Sequence, residues 1–242
     1  MKTLALKVIA PQVSFRRPLD INYQRTLLLP PPTTMIGLAG AALGLTDYQI
    51  WNEDQWKPLR ELKVAVILDK PFGKAKDMIT VLKVKSGKIE QRSPYFRELL
   101  FNVEYTLFYA GEDELIEKLS KAFKDPAFPL SLGREDELIE IISIGQIELT
   151  TGKPVFYGTA IPGDIREMKI NLPAFKSDKS PIKLEPAIIE NIPLEFKVEK
   201  GSRLPIKKTT ITFLPYSLEI EIENFNCKVF EFNGRNFIWM NS

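Results

Sequence analysis

From Thr3 to Ala10 apolar residues alternate loosely with polar ones, and the run stops at Pro11, which predicts a strand. Gln12 to Arg25 keeps no period and reads as a loop. The stretch LLLPPPTTMIGLAGAALGL (27–45) follows another rule. Pro30, Pro31 and Pro32 hold the chain extended, Thr33 or Thr34 offers a hydroxyl to cap a helix, and Gly44 offers its end. Met35, Ile36, Leu38, Ala39, Ala42 and Leu43 leave almost no polar face, so this helix is expected to be buried. Gly37, Gly40, Ala41 and Gly44 form a small-residue stripe that lets another backbone come close. Asp47 to Pro58, with Trp51 and Trp56, predicts a short helix or turn.

Leu62 to Leu68 is a β-rich apolar run, expected as a central strand that breaks at Asp69 to Gly73. Met78–Val84 and Lys88–Arg92 flank Ser86-Gly87 and predict a hairpin. Leu99 to Tyr109 is a strand dense in aromatics. Between Asp113 and Phe123, Leu115, Ile116, Leu119, Ala122 and Phe123 recur at helical spacing, and acids gather at the start, where the helix dipole favours them. Pro126 to Pro129 is a turn, the Ser131–Glu135 loop follows, and Leu138 to Leu149 is a strand. Without the hairpin the order is βαββαβ, the ferredoxin-like or RRM-like unit. Past Thr150 prolines recur at Pro154, Pro162, Pro173, Pro181, Pro186, Pro193, Pro205 and Pro215. Short strand-like runs appear at Val155–Ala160, Leu194–Val198, Thr209–Phe213, Leu218–Ile222 and Phe237–Met240, without a convincing helix. The expectation is an α+β chain: residues 1–150 as one domain with an arm at about 70–97, and 151–242 as a β-rich second domain.

Composition narrows the chemistry. The chain has 242 residues and no histidine, which removes Ser-His and Cys-His nucleophile pairs, His-ligated metals and the commonest base near neutral pH. One cysteine, Cys227, excludes an internal disulfide framework and fits a reducing cytoplasm. No signal peptide is evident, since Lys7 interrupts the opening run. Abundant Lys, Glu and Ile weakly suggest a thermophile.

Net charge is only +2 but segregated. Lys2, Lys7, Arg16, Arg17 and Arg25 face one acid, Asp20, before Pro30; eight bases from Lys70 to Arg97 face Asp77 and Glu90; from Glu104 to Glu148 acids dominate. Such segregation points to a polyanion on one face and another partner elsewhere. Phe15 and Tyr23 lie among Arg16, Arg17 and Arg25, the composition of a surface for single-stranded nucleic acid: guanidinium for phosphate, ring for base. Lys83 and Lys85 share one face of the hairpin, which suits an exposed arm lying along an anion. The helix after Pro32 would offer free amides to a phosphate.

Three segments carry a resemblance: LLLPPPTTMIGLAGAALGL (27–45), SPYFRELLFNVEYTLFY (93–109) and FPLSLGREDELIEI (128–141). In order and spacing they resemble the CRISPR-associated protein family five, of the RAMP superfamily, over roughly residues 1–150. Within the family the chain is similar to the branch of archaeal and thermophile type I systems. The resemblance implies a single-copy subunit of a type I Cascade surveillance complex in antiviral defence, and the missing histidine makes a non-catalytic one the expectation. Such a subunit binds the 5′ repeat handle of the CRISPR RNA, caps the filament of family-seven backbone subunits and docks the family-eight large subunit. Target DNA is met only through the complex, and no membrane, cofactor or metal is implied. The basic hairpin matches the family's thumb. On this reading Arg16, Arg17, Arg25, Lys83, Lys85, Lys88 and Arg92 contact phosphate, and Tyr23, with Phe15, stacks bases. Thr33 and Thr34 hold a phosphate or 2′-hydroxyl, Gly133 permits close backbone approach, and Arg134 adds charge or holds its loop. The acidic stretch from Glu104 to Glu148 would face a protein neighbour. One branch of the family is a metal-independent endoribonuclease that cuts the repeat with Tyr, Lys and His. This chain has no His, and an unperturbed Tyr or Lys titrates near 10, far from neutral pH, so a repeat-cleaving enzyme is the weaker alternative.

Overall fold

The computed structural model describes residues 2–21, 23–172 and 185–241. Pro173 and Pro181 lie outside them. In the first part the elements are β1 (Lys2–Val13), β2 (Tyr23–Gln24), α1 (Pro32–Ala42), α2 (Asp47–Asn52), α3 (Lys57–Arg60) and β3 (Lys63–Leu68). Then come β4 (Gly73–Lys85), β5 (Lys88–Gly111), α4 (Asp113–Ala122), β6 (Glu140–Ile147) and β7 (Thr150–Thr151). The remaining strands are short, apart from one long hairpin: β8 (Val155–Phe156), β9 (Ala160–Pro162), β10 (Ile170–Asn171), β11 (Ile188–Glu199), β12 (Ser202–Phe213), β13 (Ile220–Ile222), β14 (Phe230–Phe232) and β15 (Arg235–Phe237). The chain is mixed α/β and strand-rich, built of several sheets. No described helix is long and apolar enough to cross a membrane.

The main sheet runs β6-β1-β5-β3, every pair antiparallel. Strand alternation then decides its two faces. Leu4, Leu6 and Val8 of β1 point to the face covered by α1 and α4 and join one large core with Met35, Ile36, Ile116 and Leu119. Ala5 of β1, Ala65 of β3 and Phe108 of β5 point the other way and meet Phe237 and Trp239 from the end of the chain. Phe237 stacks on Phe108 at 4.2 Å between ring centroids, and Phe232 meets Phe108 edge-on at 5.4 Å. That second face, where an RRM stacks bases, is therefore occupied by the chain's own aromatics.

Three elements differ from the sequence expectation. The hairpin and the aromatic strand after it are not separate, because β5 is one strand of 24 residues. One edge of it changes partner near Asn102, whose φ is +53: below it that edge pairs with β4 and above it with β3, while β1 pairs along the other edge from Leu100 to Gly111. The expected loop from Gln12 begins later, since β1 continues to Val13, and it contains the short strand β2. Helix α1 is capped by neither threonine. Pro31 is the N-cap and Pro32 the first helical residue, and the Thr34 and Met35 amides both donate to the Pro31 carbonyl, at 3.0 and 3.2 Å. Gly44, at φ +78, sits just past the helix as expected, with Leu45 N–H donating to Gly40 C=O and Gly44 N–H to Ala41 C=O, a Schellman closure. Within the small-residue stripe, Gly40 admits a side chain, since a Cβ there would lie 2.3 Å from Ile50 Cδ1, while the Ala127 amide comes to the Ala42 carbonyl beside Gly44 at 3.1 Å.

Candidate nucleic-acid interface

Loop geometry builds the site from the chain around β2. The Arg17 amide donates to Arg25 C=O at 3.1 Å, and Leu27 N–H to Phe15 C=O at 2.8 Å, so residues 15–27 fold back on themselves. The Phe15 amide donates to Thr26 Oγ1 at 2.9 Å. At the turn, Arg25 grips Asp20 through its backbone amide (2.6 Å) and guanidinium (2.7 Å). Burial works to raise the Asp20 carboxyl, but bonding to Arg25 outweighs it and holds the group below its ordinary value.

A second loop closes against the first. Ser131 to Glu137 is pinned by Glu137, which is fully buried. Its carboxylate accepts the Ser14 amide at 2.7 Å, the Ser14 hydroxyl at 2.5 Å and the Arg134 amide at 2.9 Å. Gly133 at φ +117 is squeezed between them: a Cβ there would fall 2.3 Å from Glu137 Oε2 and 2.4 Å from Ser14 O. The close approach that Gly133 permits is thus that of the protein's own Ser14 backbone.

Between these loops and the start of α1 lies a cavity of about 260 Å³. Arg16, Arg25, Arg97 and Arg134 line it, with Gln24, Thr34 and the rim of Glu98. Arg25 is paired with Asp20, Arg97 with Asp77 at 3.1 Å, and Arg134 with Asp136 at 3.6 Å. The exposed Arg16 guanidinium has no acidic partner among the described residues. A guanidinium carries five donors in a fork, so each paired arginine keeps donors for an incoming anion. With α1's entry as its floor, the cavity suits a phosphate of an extended strand. Of the first-turn amides at that floor, Thr34's is taken, and Thr33's alone has no backbone partner among the described residues.

The structure thus brings Arg16, Arg25, Thr34, Gly133 and Arg134 together, and Thr33 beside them. It sends others elsewhere. Arg17 binds Glu190 of β11, so it straps the loop to the later part of the chain. Phe15 is 3% exposed and packs against Tyr105, which removes it as a stacking ring. Tyr23 is half-buried; its hydroxyl donates to Glu98 at 2.9 Å, and Lys76 Nζ lies 5.5 Å from the centre of its ring. Bonding to Tyr23 pushes Lys76 above its ordinary value, so it stays cationic.

Lys83, Lys85, Lys88 and Arg92 stand on the β4–β5 arm, all exposed. Register places Lys85 opposite Lys88, with Lys83 on the same face. Arg92 pairs with Leu82 and so lies on the opposite face. That opposite face is apolar and exposed: Met78 faces Phe96, and Val84 faces Ile89. Arg97, which the sequence alone does not mark as a site residue, reaches the cavity because β5 pairs in parallel with Tyr23 and Gln24, joining segments more than 70 residues apart.

A family model described as CRISPR-associated protein (Cas_Cas5) matches residues 3–172. The chain belongs to this family. Its place in the Cas_Cas5 family agrees with the resemblance carried by the proline-threonine-glycine stretch and the SLGRE loop. No curated protein sequence matches. Among solved structures, a chain of a "CRISPR RNA-guided surveillance complex" is similar with 18% identity, a TM-score of 0.55, and coverage of 89% of this chain and 92% of that one. A CRISPR protein from Archaeoglobus fulgidus is similar at 14% identity and TM-score 0.55, over the whole of both chains. At these identities the likeness is one of fold.

Proposed function

We propose that this Cas_Cas5 chain is a non-catalytic RNA-binding subunit of a type I Cascade-type complex, and that its arginine-lined cavity holds the 5′ repeat handle of the CRISPR RNA. The convergence of Arg16, Arg25, Arg97 and Arg134 on the entry of α1 carries this reading. A phosphate there meets four guanidinium forks and the positive end of a helix. The handle continues along the lysine face of the arm. Family-seven and family-eight subunits are the neighbours this reading assigns to the rest of the surface. The antiparallel order β6-β1-β5-β3, with α1 and α4 on one face, supports a ferredoxin-like first domain carrying a hairpin thumb.

Several features speak for holding rather than cutting. Tyr23 commits its hydroxyl to Glu98, and its neighbour Lys76 has its pKa raised, whereas a base near neutral pH needs a lowered one. Fluorescence anisotropy of labelled handle RNA with the isolated chain, repeated across salt concentrations, tests the reading. Binding that weakens steeply with salt, with the RNA recovered intact, is the expected result. Salt-independent binding, or cleavage at one phosphate in EDTA, overturns it.

A further inference from the structure

Beside Phe232 the second face of the main sheet stays open. A cavity of about 300 Å³ lies there, shares no residue with the arginine-lined cavity, and reaches the size of a small-molecule site. Ile67, Ile147 and Phe232 give it apolar walls. Its polar groups include Asp69, Ser143 and Asn233, with Lys7 and Arg235 beside them.

Asp69 is the group that calls for a ligand. It follows β3, and its own amide donates to the Glu104 carbonyl at 2.9 Å. Its Oδ2 accepts the Thr106 hydroxyl at 2.8 Å. Among the described residues Oδ1 has no partner, and the carboxylate makes no ion pair. The cations in the same wall are committed elsewhere. Lys7 lies on Glu104 at 2.7 Å. Arg235 donates to the Leu68 and Tyr157 carbonyls at 3.3 and 2.9 Å, with its guanidinium 3.7 Å from the centre of the Tyr157 ring. Burial raises the Asp69 carboxyl above its ordinary value, as it does for a carboxylate short of partners. A carboxylate has about four acceptor sites, so Asp69 keeps unused capacity at the cavity.

A ligand that uses this capacity must bring N–H donors without a positive charge, because Lys7 and Arg235 already stand in the wall. It must also fit its body against Ile67, Ile147 and Phe232. A nucleobase meets both conditions. Of the four bases, guanine presents two adjacent donors, N1–H and the 2-amino group, to a single carboxylate. The Ser143 hydroxyl and the Asn233 amide are donors for its O6. Ile147 also lines a wider cavity of about 720 Å³, which carries Lys2, Glu148 and Lys228. Lys2 is held by Glu117 at 2.6 Å, whereas the exposed Lys228 has no acidic partner among the described residues. One cation next to the base cavity is thus free for a phosphate.

We propose that this face binds a guanine nucleotide, with Asp69 accepting from N1–H and the 2-amino group and Lys228 meeting the phosphate. The nucleotide is either free or part of an RNA strand. This inference does not rest on the RNA reading of the arginine-lined cavity.

Isothermal titration calorimetry of the intact chain with GMP, AMP, CMP and UMP tests it. GMP is expected to bind at least about tenfold more tightly than the other three. Asp69→Asn keeps an acceptor for Thr106 but presents one acceptor and one donor to the base. It is expected to lose GMP and gain XMP, whose 2-oxo group accepts where the 2-amino group donates. A misfolded variant would gain nothing, so the exchange separates recognition from stability. Lys228→Ala is expected to weaken GMP and reduce its salt dependence. A guanine-bearing oligoribonucleotide that competes with GMP supports the site with a strand as its source, and one that binds alongside supports it with the free nucleotide. Equal binding of the four nucleotides, no binding of GMP, or GMP binding unchanged by Asp69→Asn or by Lys228→Ala overturns the inference. Handle RNA that still binds when GMP does not sinks this inference and leaves the RNA reading in place.

Discussion

Glu137 holds Ser14 twice, accepting its amide on one carboxylate oxygen and its hydroxyl on the other. The two residues are 123 positions apart, and their bond joins the loop before β2 to the loop before β6. That junction fixes the Ser14 and Gly133–Arg134 side of the arginine-lined cavity.

Replacing Glu137 tests the junction. Glu137→Gln leaves one acceptor oxygen where two served three donors, so buried donors lose partners at a cost of about 1–3 kcal/mol. Urea denaturation is expected to show that loss, together with weaker RNA binding. A change of a few tenths would place the junction elsewhere.

Glycine gives a matched pair. At Gly133, alanine meets both a positive φ and the Ser14 and Glu137 oxygens, so Gly133→Ala is expected to cost about 1–3 kcal/mol or more. At Gly37, inside α1, a Cβ meets nothing within 4 Å, and Gly37→Ala is expected to stabilise by about 0.5–1 kcal/mol. Unfolding midpoints that move in the same direction for both would contradict this packing.

Adjacent arginines should separate binding from stability. Arg16→Ala is expected to weaken RNA binding and lower the salt slope by about 1, without moving the unfolding midpoint. Arg17→Ala, which frees Glu190, is expected to lower the midpoint and leave the slope unchanged. Reversed outcomes would exchange their roles.

On the arm, replacing Lys83, Lys85 and Lys88 together by Ala is expected to flatten the salt dependence of RNA binding, because all three lie on one exposed face. An unchanged slope in salt titrations removes the arm from the RNA path.

Acid should loosen the first loop. Because Asp20 has a folded value below its ordinary 3.8, its pairing stabilises the loop fully above that pH and is lost as pH falls through the lower folded value. The midpoint difference between the native chain and Asp20→Asn is therefore expected to hold from pH 7 to 5 and shrink toward pH 3. A difference that is the same at pH 3 and pH 7 would contradict the pairing.

Local patterns were legible in the sequence where local forces decide. Helix α4 occupies Asp113–Ala122 because its apolar spacing and acidic start need nothing beyond themselves. Gly44 closes α1 for the same reason. Thr33 and Thr34 misled because Pro31, already extended, supplies the capping carbonyl that reaches two amides. Phe15 looked like a surface ring among arginines, yet β1 runs on to Val13 and the next inward position belongs to the core. Continuity of β5 was hidden because its arm half is exposed and keeps no apolar face toward a core. The cavity itself was half-visible: the arginine loop and the SLGRE loop stand out, while Arg97 enters only through strand pairing across the chain.

The central claim is that RNA lies in the arginine-lined cavity and along the arm. Photo-crosslinking of handle RNA within the assembled complex, read by mass spectrometry, tests it most directly. Crosslinks to peptides spanning residues 14–34, 93–98 and 131–137, with further ones on the arm, are the expected result. Crosslinks confined to β14–β15 or the β11–β12 hairpin, with none at those loops, would contradict it.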